Sequence, residues 1–172
     1  MFRDLIMIDK NTSFWAYSLR FYDDRKTQQA CLDVQDRLGA DVNLILYILF
    51  KAQMGQSLTL NGLRQANNDV NSWRHDVVEP LRRVRRSLKQ YPHNLPVNHQ
   101  EAIRTSIKKL ELKSEKFQQD FLETFELETH TSEPKQAANN NLSAYLNILG
   151  ADISDPAFSV LLQRFDTLEK RN

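Results

Sequence analysis

The nine residues VNLILYILF, Val42–Phe50, constrain this chain more than any other feature. Asn43 aside, they are apolar all round a helix, and a helix with no polar face has to be enclosed by other elements. Asp41 stands where an N-cap belongs and Gly55 where a left-handed residue closes a helix, so a helix is expected over Val42–Met54. Glycine is scarce, at 4 of 172 residues, whereas a β-protein with many tight turns needs more of it. The enclosing elements are therefore expected to be helices.

The nearest of them precedes it. DDRK opens a helix with acidic residues at the positive end of its dipole, and the helix runs Arg25–Leu38 and stops at Gly39. Thr27, Cys31, Val34 and Leu38 form its main stripe; Leu32 lies off that stripe, which predicts packing on two sides. Upstream, FWAYSLRFY predicts a helix capped at Asn11 or Thr12, with Phe14, Trp15, Ser18 and Phe21–Tyr22 on one face. Downstream, a short helix is expected over Thr59–Asn67. Trp73, Val77, Leu81, Val84 and Leu88 then recur at helical spacing, with Pro80 predicting a kink or break among them.

Asn98 and Glu101 have capping-box spacing and open the longest helix, expected to reach about Thr129. Ile103, Ile107, Leu110, Phe117, Phe121 and Phe125 mark its expected buried side. THTSEPKQAANNN reads as a polar loop, flexible over residues 130–141. Two short helices close the chain, one with Leu142, Tyr145, Leu146 and Leu149 ending at Gly150, the other capped by Asp155 with Pro156 at its first position. The second buries Phe158, Leu161, Leu162 and Phe165. The expected fold is all-α: one domain over residues 1–172, a bundle of about seven or eight helices around the hairpin of Arg25–Leu38 and Val42–Met54.

Several function classes find no support in the residues. Cys31 is the sole cysteine, so neither an internal disulfide nor a cysteine-rich zinc site can form. No glutamate has a histidine three residues on, as a di-iron bundle requires. G-x-S-x-G, P-loop and G-x-G-x-x-G motifs are missing, so no catalytic residue and no cofactor is assigned. The apolar stretch Leu5–Ile8 is too short for a signal peptide, and Val42–Phe50 falls far below the roughly 18 residues that span a bilayer. A cytoplasmic protein with no membrane partner is expected. Its net charge of +1 gives no global pull toward nucleic acid.

CLDVQDRLGADVNLILYILF, Cys31–Phe50, resembles the CLxxQDRxGxDVNLxL signature of a bacterial family of unknown function. Trp73, PLRRVRRSLK at Pro80–Lys89 and KLELKSEKF resemble its later blocks, so the likeness covers roughly Phe14–Leu122. It implies an intracellular bacterial helical protein, and it implies no reaction, cofactor or partner.

Three functional readings stay open on these residues. Arg74, Arg82, Arg83, Arg85, Arg86 and Lys89 form the strongest charge cluster, with Arg82, Arg86 and Lys89 along one flank and Arg83 and Arg85 more outward. Such a flank could dock an acidic protein surface, the leading expectation, with a second copy of the chain as one such partner. It could instead neutralise phosphates of a nucleic acid. The bland alternative pairs these arginines with Asp33, Asp36 or Asp41 inside the fold. Glutamates at 111, 115, 123, 126 and 128 would leave the molecule electrically two-faced. The third reading is a ligand or divalent-metal site of helix carboxylates, with Asp33 and Asp36 facing Glu111 and Glu115. Gln35, Asp36, Arg37, Asp41, Asn43 and Trp73 are its neighbours or structural residues: Asp41 as a cap, Asn43 satisfying the first turn, Gln35 bridging helices in the core.

Overall fold

Helix α3, Val42–Gln53, occupies the centre expected of it, with every side chain from Leu44 to Leu49 buried in the computed structural model. Asp41 caps it: Oδ1 accepts the N–H groups of Asn43 and Leu44 at 2.9 and 3.3 Å. Burying one leucine or isoleucine side chain contributes about 1.5–3 kcal/mol, so the other elements are arranged to enclose this helix. The structure describes residues 13–90, 94–152 and 154–170.

Around α3 stand α1 (Phe14–Tyr22), α2 (Arg25–Leu38), α4 (Leu60–Asp69), α7 (Val97–Glu123), α8 (Pro134–Ile148) and α9 (Pro156–Glu169). Phe14 stacks on Phe50 and meets Tyr47 edge-on, so α1 packs against α3 through aromatic rings. Gly39, with φ of +66°, turns the chain from α2 toward α3 as expected. The α1 cap is Ser13, whose Oγ accepts from Ala16; Asn11 and Thr12 lie outside the described residues, as does the Leu5–Ile8 stretch. No helix among the described residues is long and apolar enough to cross a membrane.

Four local expectations need correction. The Asn98–Glu101 capping box does not form, because α7 begins two residues earlier, at Val97 behind Pro96, and Glu101 accepts from Arg104 instead. α7 ends at Glu123 rather than near Thr129. Residues 130–141 are not a flexible loop: β2, Thr129–Thr131, pairs antiparallel with β1, Gln56–Leu58, and α8 starts at Pro134. Asn141, fully buried, ties that strand pair to the core, since Nδ2 donates to the carbonyls of Ile48 and Gln56 while Oδ1 accepts from Leu58. Leu32 is not packed on a second side of α2 but is partly exposed.

The break expected at Pro80 is a widened turn. Between α5, Asn71–Trp73, and α6, Glu79–Gln90, the chain forms a π-helical segment, Arg74–Val78, in which Glu79 N–H donates to the carbonyl of Arg74. The wide turn lies where a proline ring would otherwise meet the carbonyl four residues before it. α6 then lies along α7 with no fully buried residue of its own.

The largest departure concerns α7. Its buried residues are Glu111, Ser114, Gln118, Gln119 and Leu122, whereas Ile103, Leu110, Phe117 and Phe121 are 56, 54, 50 and 48 % exposed. The helix turns a polar seam inward, where partners on other helices satisfy it, and leaves the apolar seam beside it in solvent.

Candidate functional site

Arg82, Arg85 and Arg86 stand three and four residues apart, which places them on one side of α6. All three reach across to carboxylates. Arg82 donates from Nε to Glu111 Oε1 at 3.3 Å and from Nη2 to Glu115 Oε1 at 2.9 Å. Arg85 grips both oxygens of Glu111, with Nη2 to Oε1 at 3.0 Å, and this carboxylate holds the guanidinium above its ordinary pKa. Arg86 donates twice to Asp36 Oδ1 at 3.1 Å, joining α6 to α2. Burial pushes the Glu115 carboxyl upward despite Arg82 beside it.

A second polar joint sits at the head of α3. Arg74 Nη1 pairs with Asp41 Oδ2 at 3.2 Å, and Gln118 Nε2 donates to the same oxygen at 2.6 Å. Tyr145 Oη accepts the Asp41 N–H at 2.8 Å. Asn43 does not serve its own first turn; it bridges to α7, donating to Gln118 and accepting from Gln119 Nε2 at 2.8 Å. Trp73 anchors the kinked segment through Nε1–H to the Ser114 carbonyl at 3.0 Å.

The cluster therefore divides. Arg74, Arg82, Arg85 and Arg86 are internally paired, Arg85 inward rather than outward, while Arg83 and Lys89 are exposed with no ion pair among the described residues. The two-faced charge pattern is reduced: Glu111 and Glu115 are matched by arginines, while Glu123, which accepts the N–H of Phe14, Glu126, and Glu128, which takes the Thr59 hydroxyl, stay exposed with no ion pair among the described residues. Asp33 belongs to Arg37, which also reaches Asp155. Asp33, Asp36, Glu111 and Glu115 are thus each held by an arginine, and among the described residues no group of three His, Cys, Asp or Glu is placed to hold a metal. Gln35 is half-buried, with no side-chain hydrogen bond among the described residues, rather than a bridge in the core.

Two further surfaces stand out among the described residues. A cleft of about 510 Å³ opens between α1–α3 on one side and α6–α7 on the other. Leu19, Leu32 and Leu112, three of the exposed leucines, meet on its walls from α1, α2 and α7. The outer face of α7 carries the second: Ile103, Leu110 and Phe117 recur every seven residues, followed by Phe121, and Lys113 lies against the Phe117 ring.

The model of a family described as "Protein of unknown function (DUF2390)" matches residues 13–122. The chain belongs to this family. The matched span runs from the cap of α1 to the last turn of α7, so it contains the cleft and the arginine–glutamate layer; α8 and α9 lie beyond it. No curated protein and no solved structure matches the chain.

Sequence reasoning missed Ser18 as a cleft residue and Ser114, Gln118, Gln119 and Asn141 as buried polar ties. One signal was present on α7: Glu111, Ser114, Gln118 and Leu122 follow helical spacing as closely as the apolar seam does. Their polarity disguised it.

Proposed function

We propose that this family member is a non-enzymatic, single-domain binding module of the bacterial cytoplasm that docks a protein partner on the outer face of α7. The observation that carries the reading is the half-exposed seam of Ile103, Leu110, Phe117 and Phe121. At about 150–250 Å² per large side chain, half exposed, the four present roughly 400 Å² of apolar surface, the size at which a patch marks an interaction site. Seven-residue spacing suits an amphipathic helix lying along the seam. Lys109 and Lys113 are exposed beside it, while the carboxylates at 111 and 115 are turned inward, so the complementary helix is acidic. A two-fold copy of the chain would set these lysines near their own counterparts, which disfavours self-association.

This reading keeps the protein partner that the sequence suggested and moves the contact from the arginine flank to α7. Arg83 and Lys89 are the two cations of that flank left to assist. The nucleic-acid alternative loses ground on the same count, because phosphate binding needs several free cations. The test is affinity capture from the cells of origin with the wild-type chain and a Phe117→Ser/Phe121→Ser variant, each with and without nuclease. An acidic partner that survives nuclease, is lost from the variant and binds the purified wild-type chain supports the proposal. Equal recovery on both baits, or recovery abolished by nuclease, overturns it.

A further inference from the structure

We infer that the cleft between α1–α3 and α6–α7 binds a small amphipathic anion: an apolar body with a carboxylate or phosphate head and a second, hydrogen-bonding polar group. The inference stands apart from the protein-docking face, which lies elsewhere on α7. Four observations converge on it.

The first is size. About 510 Å³ falls within the range of sites that enclose small organic ligands, roughly 300–1,000 Å³. The second is the wall. Leu19, Leu32 and Leu112 are large, substantially exposed side chains on three different helices, yet all line this one cleft, with Trp15 among them. Leucines from separate elements that stay exposed and converge fit an apolar ligand body.

Charge supplies the third. Arg82 and Arg85 face Glu111 and Glu115 in the cleft, Arg86 faces Asp36 just outside its lining, and Lys108 is the cation left over, so the site is net cationic by one charge. Lys108 has no ion pair among the described residues, and each arginine keeps N–H groups beyond those its carboxylate uses. An anionic head is the natural complement.

The fourth points most directly to a ligand. Ser18 and Gln119, both 3 % exposed, line the cleft, and Ser18 Oγ and Gln119 Oε1 have no hydrogen-bond partner among the described residues. Buried oxygens are rarely left so, because each costs about 1–3 kcal/mol unpaired. The Gln119 amide is oriented, since Nε2 donates to Asn43 Oδ1, so Oε1 awaits a donor. A ligand hydroxyl could donate to Oε1 while accepting from Ser18. Lys108 and Gln119 are eleven residues apart on α7, on the order of 16 Å at 1.5 Å per residue. Head and hydroxyl therefore belong at opposite ends of a chain-like body.

The experiment titrates the full chain with 12-hydroxydodecanoate, dodecanoate, dodecyl phosphate and neutral dodecanol, following thermal stabilisation and, in a Trp73→Phe background, Trp15 fluorescence. The expected result is saturable binding of 12-hydroxydodecanoate at least fivefold tighter than dodecanoate, with Ser18→Ala reducing that preference. Lys108→Glu is expected to weaken both carboxylates about tenfold and leave dodecanol unchanged. Dodecyl phosphate against dodecanoate identifies the head. Phe121→Ser, on the outer seam, is expected to leave binding intact. No saturable binding by any of the three anions, binding indifferent to Lys108→Glu, or binding removed by Phe121→Ser overturns the inference. So does equal affinity for dodecanoate and its hydroxylated form.

Discussion

Replacing Asp41 with alanine removes three interactions at once. The α3 cap goes first, since Asn43 and Leu44 lose their acceptor, at about 1 kcal/mol. Arg74, whose side chain is only 12 % exposed, is left without its carboxylate. Breaking a buried pair on one side costs about 3–5 kcal/mol, and Arg74 keeps Asn67 and Asn71 as acceptors, which favours the low end. Gln118 loses its 2.6 Å bond. A total of about 4 kcal/mol follows, which for a chain of this length lowers Tm by about 8–16 °C. Asp41→Asn keeps a capping oxygen and should lose clearly less. Adding Arg74→Met to Asp41→Ala removes the orphaned charge and should recover part of the loss, giving a coupling energy above about 1 kcal/mol. Urea unfolding followed by circular dichroism measures all of these. A loss under about 1 kcal/mol for Asp41→Ala, or simple additivity with Arg74→Met, would refute the reasoning.

Three further predictions rest on single residues. Burial raises the Glu115 carboxyl above its ordinary range, so its contribution to stability is full below the ordinary carboxylate value and is lost as pH rises through the raised one. Glu115→Gln should flatten that part of the stability–pH curve; an unchanged slope would count against the burial argument. Burial also pushes the Cys31 thiol up to about 12, so the native protein should resist iodoacetamide near neutral pH and label only on unfolding. Rapid labelling of the folded chain would show the thiol to be open. Gly55 has φ of +71° and faces the Ser132 carbonyl, which a Cβ would approach to 2.8 Å. Gly55→Ala should therefore cost at least about 1–2 kcal/mol and loosen the β1–β2 pair, and a neutral substitution would contradict it.

What the sequence made legible was local chemistry. Asp41, Gly39 and Asp155 sit at helix ends as expected because caps depend on neighbours within a few residues. The enclosed α3 was legible because nine residues with almost no polar side chain have one physical solution. The face of α7 was not. Apolar periodicity selects Ile103, Leu110 and Phe117, yet the buried seam is Glu111, Ser114 and Gln118, whose cost of burial is offset by Arg82, Arg85, Asp41 and Asn43 on distant elements. Nothing local announces those partners. Asn141 was lost for the same reason: within a polar tract it reads as loop, and only the carbonyls of Ile48 and Gln56 make it core. The arginines were half legible. That some of these arginines would pair with Asp36 or Asp41 was foreseen as an alternative, but not which arginine takes which carboxylate, and Glu111 as the shared acceptor of Arg82 and Arg85 depends on how α6 lies along α7.

The apolar seam of α7 is half exposed to solvent, and this exposure is what the proposed docking requires. Hydroxyl-radical footprinting of the purified full chain tests this directly, residue by residue. Phe117 and Phe121 are expected to oxidise far faster than Phe14 and Phe165, which are enclosed in the core, and to become protected once the captured partner is added. Oxidation of Phe117 and Phe121 as slow as that of Phe14 would contradict it, placing the seam inside the fold and removing the docking face.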